Sequence, residues 1–448
     1  MKPHPFRKLL DIKRSELPFA LLMFSYFLLV ISSFWVLKPL KKSLFIQYYD
    51  DGGFRLFSWT MSAAQAELLA KVANMVVAFA AVVVFTLLVR WFRRQFLTFI
   101  FTGFFLAGYV AYTSTIDDPG ALTVWSFYLF GDLFSTLMVA TFFAFVNDSV
   151  SPEQSKRLYG LIGLGGVIGG VLGTTFLSRF IDSVSTSGWL WVCSALGLLI
   201  VIVAYFAGRI VDRLGPPARE PSPRPPPATE PAKRPSPFIE GGRLVLRSRY
   251  FLSVATIVGL YEVVSTVMDF QFTSTVEHYL DGAEIGKQFS TVFAITNAVS
   301  MFVQLFLTSF VMQRFGLTVA LLILPVTALG GSSLFMMFPV LWVGSFLNTA
   351  DNGFSYSINQ SAKEALYVPT SPEEKYRAKA FIDMFVQRFA KALAVFLTLG
   401  ITVVFKDFAS VKWLSLLTAP VIVLWILAAR YGGVRFREAA AAREATGW

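Results

Sequence analysis

Cysteine and histidine are scarce in this sequence of 448 residues, which contains one cysteine and two histidines. The single cysteine, Cys193, cannot form a disulfide within the chain, and His4 and His278 offer little to a metal centre. The sequence also has no metal-ligand cluster and no nucleophile motif, both of which a membrane enzyme would need. We therefore expect neither an enzyme nor a bound cofactor.

Charged residues are few as well, at 15%, whereas 55% of the residues are hydrophobic, 16% are aromatic and the mean hydropathy is +0.61. A soluble protein of this length would not tolerate such a composition. The first apolar run ends in lysines and has no small-residue cleavage site, so we expect it to remain as a helix. The sequence predicts an all-α polytopic membrane protein.

Twelve apolar segments are long enough to cross a membrane as helices, which takes about 20 residues. We predict spans at 17–46, 62–89, 96–115, 121–146, 159–181, 189–209, 250–275, 289–312, 316–336, 338–358, 379–405 and 412–430.

Basic residues divide unevenly between alternate loops. Of the 39 lysines and arginines, 28 lie in loops on the same side as the N-terminus, 4 lie in the opposite loops and 7 lie within spans. Because basic residues concentrate in cytoplasmic loops, we expect both termini to be cytoplasmic, in a bacterial inner membrane. The net charge of +11 is therefore explained by topology, and we expect no nucleic-acid partner.

A proline-rich segment separates the sixth and seventh spans and holds ten of the 21 prolines. It predicts a cytosolic linker at 214–238 between two six-helix bundles, 1–213 and 239–448. An internal echo supports two related halves, since SPEQSKRLYG from Ser151 corresponds to SPEEKYRAKA from Ser371. Two parallel six-helix halves joined by a long loop are the architecture of the major facilitator superfamily.

Charges within spans mark functional positions by default, because each costs about 2.5–3.5 kcal/mol to insert. Lys38, Lys41 and Lys42 end the first span, where they either snorkel to the outer interface or form a cationic lining. Asp132 has no charged neighbour in its own span, so we expect a basic partner from the first or the eleventh span. That pair is either structural or part of a site.

Other polar positions follow helical spacing. Glu67 and Lys71 predict an ion pair within the second span, and Asp383, Gln387 and Lys391 predict one polar face in the eleventh, which also carries Arg388. The seventh span carries a pair of carboxylates, Glu262 and Asp269. The tenth carries a polar stripe, formed by Asn348, Asp351, Asn352, Ser355 and Asn359. The fifth carries a glycine stripe for close helix packing, formed by Gly165, Gly169 and Gly173.

Four motifs resemble the NTP/NDP exchange transporters, which include the ATP/ADP translocases of plastid envelopes and obligate intracellular bacteria, and the similarity covers nearly the whole chain apart from the linker and the tails. The motifs are AKEALYVPTSPEEKYRAKAFID, VLKPLKKSLF, YLFGDLFSTLMVATFFAFVND and RLYGLIGLGGVIGG. The resemblance implies nucleotide exchange by alternating access, in which two halves rock about a central substrate site.

The resemblance also implies which residues serve the substrate. Lys41 matches a basic position of the first span, Asp132 and Asp269 stand where the family has glutamate, and either Lys363 or Lys391 matches a late lysine. With the charges above, the expected substrate-binding set is Lys38, Lys41, Asp132, Asp269, Asp351, Asp383, Arg388 and Lys391.

We expect a monomer surrounded by membrane lipid that carries a small anionic substrate. A lipid or another amphiphilic cargo on the same scaffold is the alternative.

Overall fold

A computed structural model describes residues 13–214, 237–404 and 407–446 of the chain. Most of the predicted linker, residues 215–236, therefore lies outside the described residues. The helices are α1 (Leu17–Asp50), α2 (Ala63–Trp91), α3 (Arg94–Thr113), α4 (Ala121–Ser149), α5 (Pro152–Phe180), α6 (Thr186–Leu214), α7 (Pro237–Arg247), α8 (Arg249–Tyr279), α9 (Ala283–Phe302), α10 (Thr308–Arg314), α11 (Gly316–Met337), α12 (Leu341–Phe354), α13 (Gln360–Leu366), α14 (Pro372–Phe381), α15 (Gln387–Val404) and α16 (Trp413–Thr446).

Shorter elements complete the described chain. Three π-helical turns, π1 (Val303–Leu307), π2 (Ser355–Asn359) and π3 (Ile382–Val386), interrupt longer helices. A 3₁₀ turn is formed by Phe408–Ser410. Strands β1 (Phe54–Leu56) and β2 (Trp59–Met61) form an antiparallel hairpin in which Arg55 pairs with Thr60.

Eleven helices of the described chain are long and apolar enough to cross a membrane, so the prediction of twelve is not confirmed. The predicted span at 338–358 is the one missing from this set. The segment is helical from Leu341 to Leu366, but it consists of α12, π2 and α13 in succession. Its polar stripe, which includes Asn348, Asp351 and Asn359, also lowers its hydropathy.

The chain divides into two compact units. Unit 1 comprises Met1–Asp51, Ala73–Ala228 and Gly282–Ala294, and unit 2 comprises Gly52–Val72, Thr229–Asp281 and Ile295–Trp448. Two helices, α2 and α9, are therefore shared between the units, whereas the predicted domains follow chain order. The domain boundaries proposed from the sequence stay a prediction.

The glycine stripe of α5 lets it lie directly against the backbone of α1, as the sequence predicts. A Cβ atom on Gly165 would lie 2.4 Å from the carbonyl oxygen of Phe24, and one on Gly169 would lie 2.4 Å from that of Leu28. Ser32 then donates a hydrogen bond of 3.0 Å to the carbonyl of Gly169. Only glycine allows two helices to approach this closely.

The echoed Ser-Pro-Glu segments begin helices of the same construction in the two units. Ser151 starts α5 and Ser371 starts α14, and each serine forms a reciprocal capping box with the residue three positions on. Six residues after each serine, an arginine binds a glutamate from a distant segment: Arg157 with Glu16 at 2.6 Å, and Arg377 with Glu240 at 3.1 Å. The sequence echo therefore corresponds to a repeated local structure.

The hairpin between α1 and α2 was not predicted, because its strands are only three residues long. Phe57 at its turn adopts a positive φ of 54° and is 99% exposed, a conformation that costs free energy for a residue with a Cβ. The hairpin leads into α2, whose first backbone N–H groups donate to the carboxylate of Glu277, at 2.6 Å from Ala63 and 2.9 Å from Ala64. An acidic side chain thus caps this helix through tertiary contact.

Candidate functional site

The three lysines of α1, Lys38, Lys41 and Lys42, form the cationic group of unit 1. Lys41 and Lys42 are each only 4% exposed, and Lys38 is half-buried. A lysine that snorkels keeps its ammonium group in water. The burial of Lys41 and Lys42 therefore favours the lining interpretation over snorkelling for these two residues.

Lys41 forms an ion pair with Asp132 of α4, so this carboxylate takes its basic partner from the first of the two predicted spans, the first and the eleventh, that the sequence left open. Its ammonium nitrogen also lies 4.1 Å from the centroid of the Tyr128 ring, one turn earlier on α4. The neighbouring Gly131 leaves room for the lysine, since a Cβ there would lie 2.8 Å from Lys41 Cδ. One turn of α4 thus supplies the charge, the ring and the space that hold Lys41.

Aromatic rings hold the other two ammonium groups. Lys38 Nζ lies 4.6 Å from the Trp35 ring and 5.1 Å from that of Phe293, and Lys42 Nζ lies 5.2 Å from that of Phe289. A cation over an aromatic face gains roughly 0.5–2 kcal/mol, more when water is excluded. Because Phe289 and Phe293 both lie in the Gly282–Ala294 segment, all of these contacts belong to unit 1.

Unit 2 contains a further cation within a predicted span, Lys71 of α2, whose side chain is 14% exposed. Lys71 forms the predicted ion pair with Glu67 at 2.8 Å and a further ion pair with Asp269 of α8. Asn348 of α12 donates a hydrogen bond of 3.3 Å to the other oxygen of Asp269. Asp269, which the resemblance assigned to the substrate, is thus held by protein groups from two other helices.

Further polar contacts join α8 to α12 and α15. Ser265 donates a hydrogen bond of 2.5 Å to Asp351, which is 3% exposed, and Gln387 donates one of 2.6 Å to Glu262. The hydroxyl of Tyr356 interacts electrostatically with the charged side chains of Asp351, Lys391, Asp269 and Glu262. Together with Glu67, Lys71 and Asn348, these residues make up the polar cluster of unit 2.

Three π-helical turns lie in the described part of unit 2, and the sequence predicted none of them. Two of these turns, π1 and π2, contact each other although they are distant along the chain. Asn359 at the end of π2 is 1% exposed, and neither its side-chain oxygen nor its nitrogen has a hydrogen-bond partner. The side-chain oxygen of Gln304 in π1 is buried without a partner as well. Such turns occur frequently at functional sites. The composition of these segments gives no signal of such turns.

The residues of the eleventh predicted span are divided by π3. This turn replaces the α-helical spacing between Asp383 and Gln387, so the predicted face at i, i+4 and i+8 is not continuous. Asp383 is exposed and interacts electrostatically with Lys379 and Lys363. Arg388 and Lys391 are half-buried on α15. Lys363 is the other residue that could match the late lysine of the resembled family, and its Nζ lies 5.1 Å from the centroid of the Tyr261 ring.

Residues 120–436 match the model of the TLC ATP/ADP transporter family. The chain belongs to this family. ADP,ATP carrier protein 1 of Chlamydia muridarum is 24% identical over 358 residues, which is 71% of this chain and 66% of that protein. ADP,ATP carrier protein 1, chloroplastic, of Arabidopsis thaliana is 22% identical over 346 residues, 69% of this chain and 54% of that protein. The chain therefore spans less than two thirds of the length of these two family members.

Solved structures place this family member among the major facilitator folds. The nucleoside transporter NupG gives a TM-score of 0.60 at 13% identity, over 94% of this chain and 100% of that one. The transporter FucP of the Major Facilitator Superfamily gives 0.52 at 14% identity, over 94% and 99%. At such identities the likeness concerns the fold alone. It agrees with the fold expected from the sequence, a polytopic helical membrane protein.

Proposed function

We propose that this chain exchanges nucleotides such as ATP and ADP across the membrane, and that the cationic group of unit 1 binds their phosphates. The observation that carries the proposal is the ion pair of the buried Lys41 with Asp132, because it lies within apolar helices of a chain of the ATP/ADP transporter family. A buried ion pair is weak evidence for stability, since desolvation offsets its attraction. Its presence between two apolar helices is better explained by a charged substrate.

The chemistry of the cationic group suits a phosphate chain. Lysine acts as a point charge toward phosphate oxygens, and three ammonium groups within five residues match the several negative charges of a nucleotide di- or triphosphate. Asp132 neutralises Lys41 when no phosphate is bound. The aromatic rings around Lys38 and Lys42 stabilise these cations without competing for the anion.

The same charge balance accounts for exchange rather than one-way release. Asp132 offers one negative charge against the three ammonium groups, and an excess of positive charge is costly to enclose in a low-dielectric interior when no phosphate is bound. The loaded site is therefore the one that reorients, and the polar cluster of unit 2 contributes Asp269, Asp351 and Lys391 to the same cycle. We place the protein in a bacterial inner membrane with cytoplasmic termini, from the distribution of its basic loops, and we expect a monomer.

Nucleotide binding to the purified protein tests the proposal. Lys41→Ala removes a charge-assisted contact worth about 1.5–3 kcal/mol, so ADP affinity in titration calorimetry should fall roughly ten- to a hundredfold. Lys391→Ala should act in the same direction. Lys287→Ala is the matched control, because Lys287 also pairs with an aspartate of unit 1, Asp182, but is 61% exposed.

Two results would contradict the proposal. One is a Lys287→Ala variant that loses as much affinity as Lys41→Ala. The other is a wild-type protein that binds neither ATP nor ADP yet retains lipid through purification, which would favour a lipid or another amphiphile as the cargo.

A further inference from the structure

A cavity of about 500 Å³ lies in unit 2 beside the short helix α7, and it shares no residue with the cationic group of unit 1 or the polar cluster of unit 2. Its walls come from α7 and from the start of α14. The lining residues are Glu240, Arg243, Leu244, Arg247, Ser371, Glu374 and Arg377. Three of the seven are arginines, which makes the cavity a candidate site for an anion.

Two glycines hold α7 against α14 and so define one wall of the cavity. A Cβ on Gly241 would lie 2.6 Å from the carbonyl oxygen of Arg377, and one on Gly242 would lie 3.0 Å from the Phe381 ring. No other residue could occupy position 241 without moving the backbone of α14. The cavity is therefore a built feature of the fold and not a gap between loosely placed loops.

The carboxylates in the cavity already have partners, whereas two arginines do not. Glu240 binds Arg377 at 3.1 Å, and Glu374 accepts a hydrogen bond of 2.8 Å from Ser371. Arg243 and Arg247 are exposed, and neither has an ion-pair partner among the described residues. Lying one turn apart on α7, they present two guanidinium groups to the same space. The cavity thus carries positive charge that the protein does not neutralise.

The position of α7 indicates where the anion comes from. This helix ends at Arg247, two residues before α8 begins the next membrane-spanning helix at Arg249. Leu246 is 72% exposed, whereas Val245 beside it is buried. A short helix with exposed apolar and basic side chains next to a span lies at the membrane surface, where anionic head groups are concentrated.

We propose that this cavity binds the phosphate head group of an anionic phospholipid from the leaflet that faces the basic loops. The forked guanidinium groups of Arg243 and Arg247 match phosphate oxygens, and Leu246 contacts the acyl region. Free phosphate offers the same oxygens but no acyl chain, so the two sources can be told apart. The site is independent of the proposed nucleotide exchange, because it shares no residue with the cationic group of unit 1.

The test compares lipid retention by native mass spectrometry after purification from phosphatidylglycerol and phosphatidylcholine mixtures. The preference for phosphatidylglycerol should fall about fivefold for each arginine replaced in Arg243→Gln and Arg247→Gln, and roughly 25-fold in the double variant. The control is the double variant Arg93→Gln and Arg314→Gln, which removes two exposed arginines from other loops on the same predicted side. It should keep the wild-type preference.

Three outcomes would overturn the proposal. The preference could survive in the α7 double variant, or it could fall equally in the control, which would indicate a diffuse surface charge effect. Alternatively, glycerol phosphate without acyl chains could displace the bound lipid at equal concentration, which would mark the cavity as a site for a soluble anion. All of these variants change exposed side chains, so each is expected to fold.

Discussion

Lys71 of α2 binds Asp269 of α8, a residue 198 positions further along the chain, while it also binds Glu67 one turn before it. A single ammonium group therefore bridges two carboxylates that would otherwise repel each other. Asn348 adds a hydrogen bond to Asp269 from a third helix. This arrangement joins α2, α8 and α12 within unit 2.

Replacing Lys71 by methionine should destabilise the protein strongly. The change leaves Glu67, which is 1% exposed, beside Asp269 with no cation between them, and breaking a buried pair in this way costs about 3–5 kcal/mol. Glu67→Gln is the matched control, because Lys71 then keeps Asp269. Thermal unfolding in detergent should show a much larger loss for Lys71→Met than for Glu67→Gln. Equal losses would mean that the pair with Asp269 contributes little.

The close approach of α5 to α1 gives a second prediction. Gly169→Ala places a Cβ 2.4 Å from the backbone oxygen of Leu28, so the helices must separate, at a cost of about 1–3 kcal/mol. Gly163→Ala on the same helix meets nothing within 4 Å and should be neutral or stabilising by up to about 1 kcal/mol. Thermal unfolding of both variants checks this contrast. Equal destabilisation of both variants would contradict the account, because contact with Leu28 would then not be the cause.

The Arg157–Glu16 ion pair predicts a dependence of stability on pH. The Arg157 guanidinium holds the pKa of Glu16 below its ordinary value. A lowered carboxyl pKa stabilises the fold above the ordinary pKa of about 4.3, and that contribution is lost as pH falls through the lowered value. Arg157→Met should therefore be less stable than wild type at neutral pH, and the difference should disappear in acid.

The echoed pair of unit 2 is the control for this experiment. Arg377 and Glu240 are 47% and 29% exposed, against 27% and 9% for Arg157 and Glu16. Exposed ion pairs contribute only about 0–1 kcal/mol to the free energy of unfolding. Arg377→Met should therefore destabilise the protein less than Arg157→Met does at neutral pH. Unfolding temperatures measured from acid to neutral pH would contradict the account if Arg157→Met kept its full deficit below the lowered pKa of Glu16.

Local spacing and composition were sufficient to predict much of this molecule. The glycine stripe of α5, the Glu67–Lys71 pair and a basic partner for Asp132 on the first or the eleventh span all follow from helical periodicity and from the cost of an isolated buried charge. The ion pair of Lys71 with Asp269 did not follow, because it depends on how α2 packs against α8, a tertiary contact that the sequence does not encode locally. The residues proposed to bind substrate stay a prediction.

The π-helical turns mark the limit of pattern reading. An α-helical period of 3.6 residues was assumed for the polar stripes of the tenth and eleventh predicted spans, and π2 and π3 interrupt both. One extra residue in a turn changes which side chains share a face, yet it leaves no compositional signature. The buried, unpartnered Asn359 shows where that assumption failed.

Uptake of labelled ADP into proteoliposomes is the most direct test of nucleotide exchange. Vesicles preloaded with ADP or ATP should take up label, whereas empty vesicles should take up little, because the site should reorient readily only with a nucleotide bound. Lys41→Ala should abolish most of this exchange, and Lys287→Ala should preserve it. Uptake that is equal in loaded and empty vesicles, or that is unchanged in Lys41→Ala, would contradict nucleotide exchange through the cationic group of unit 1.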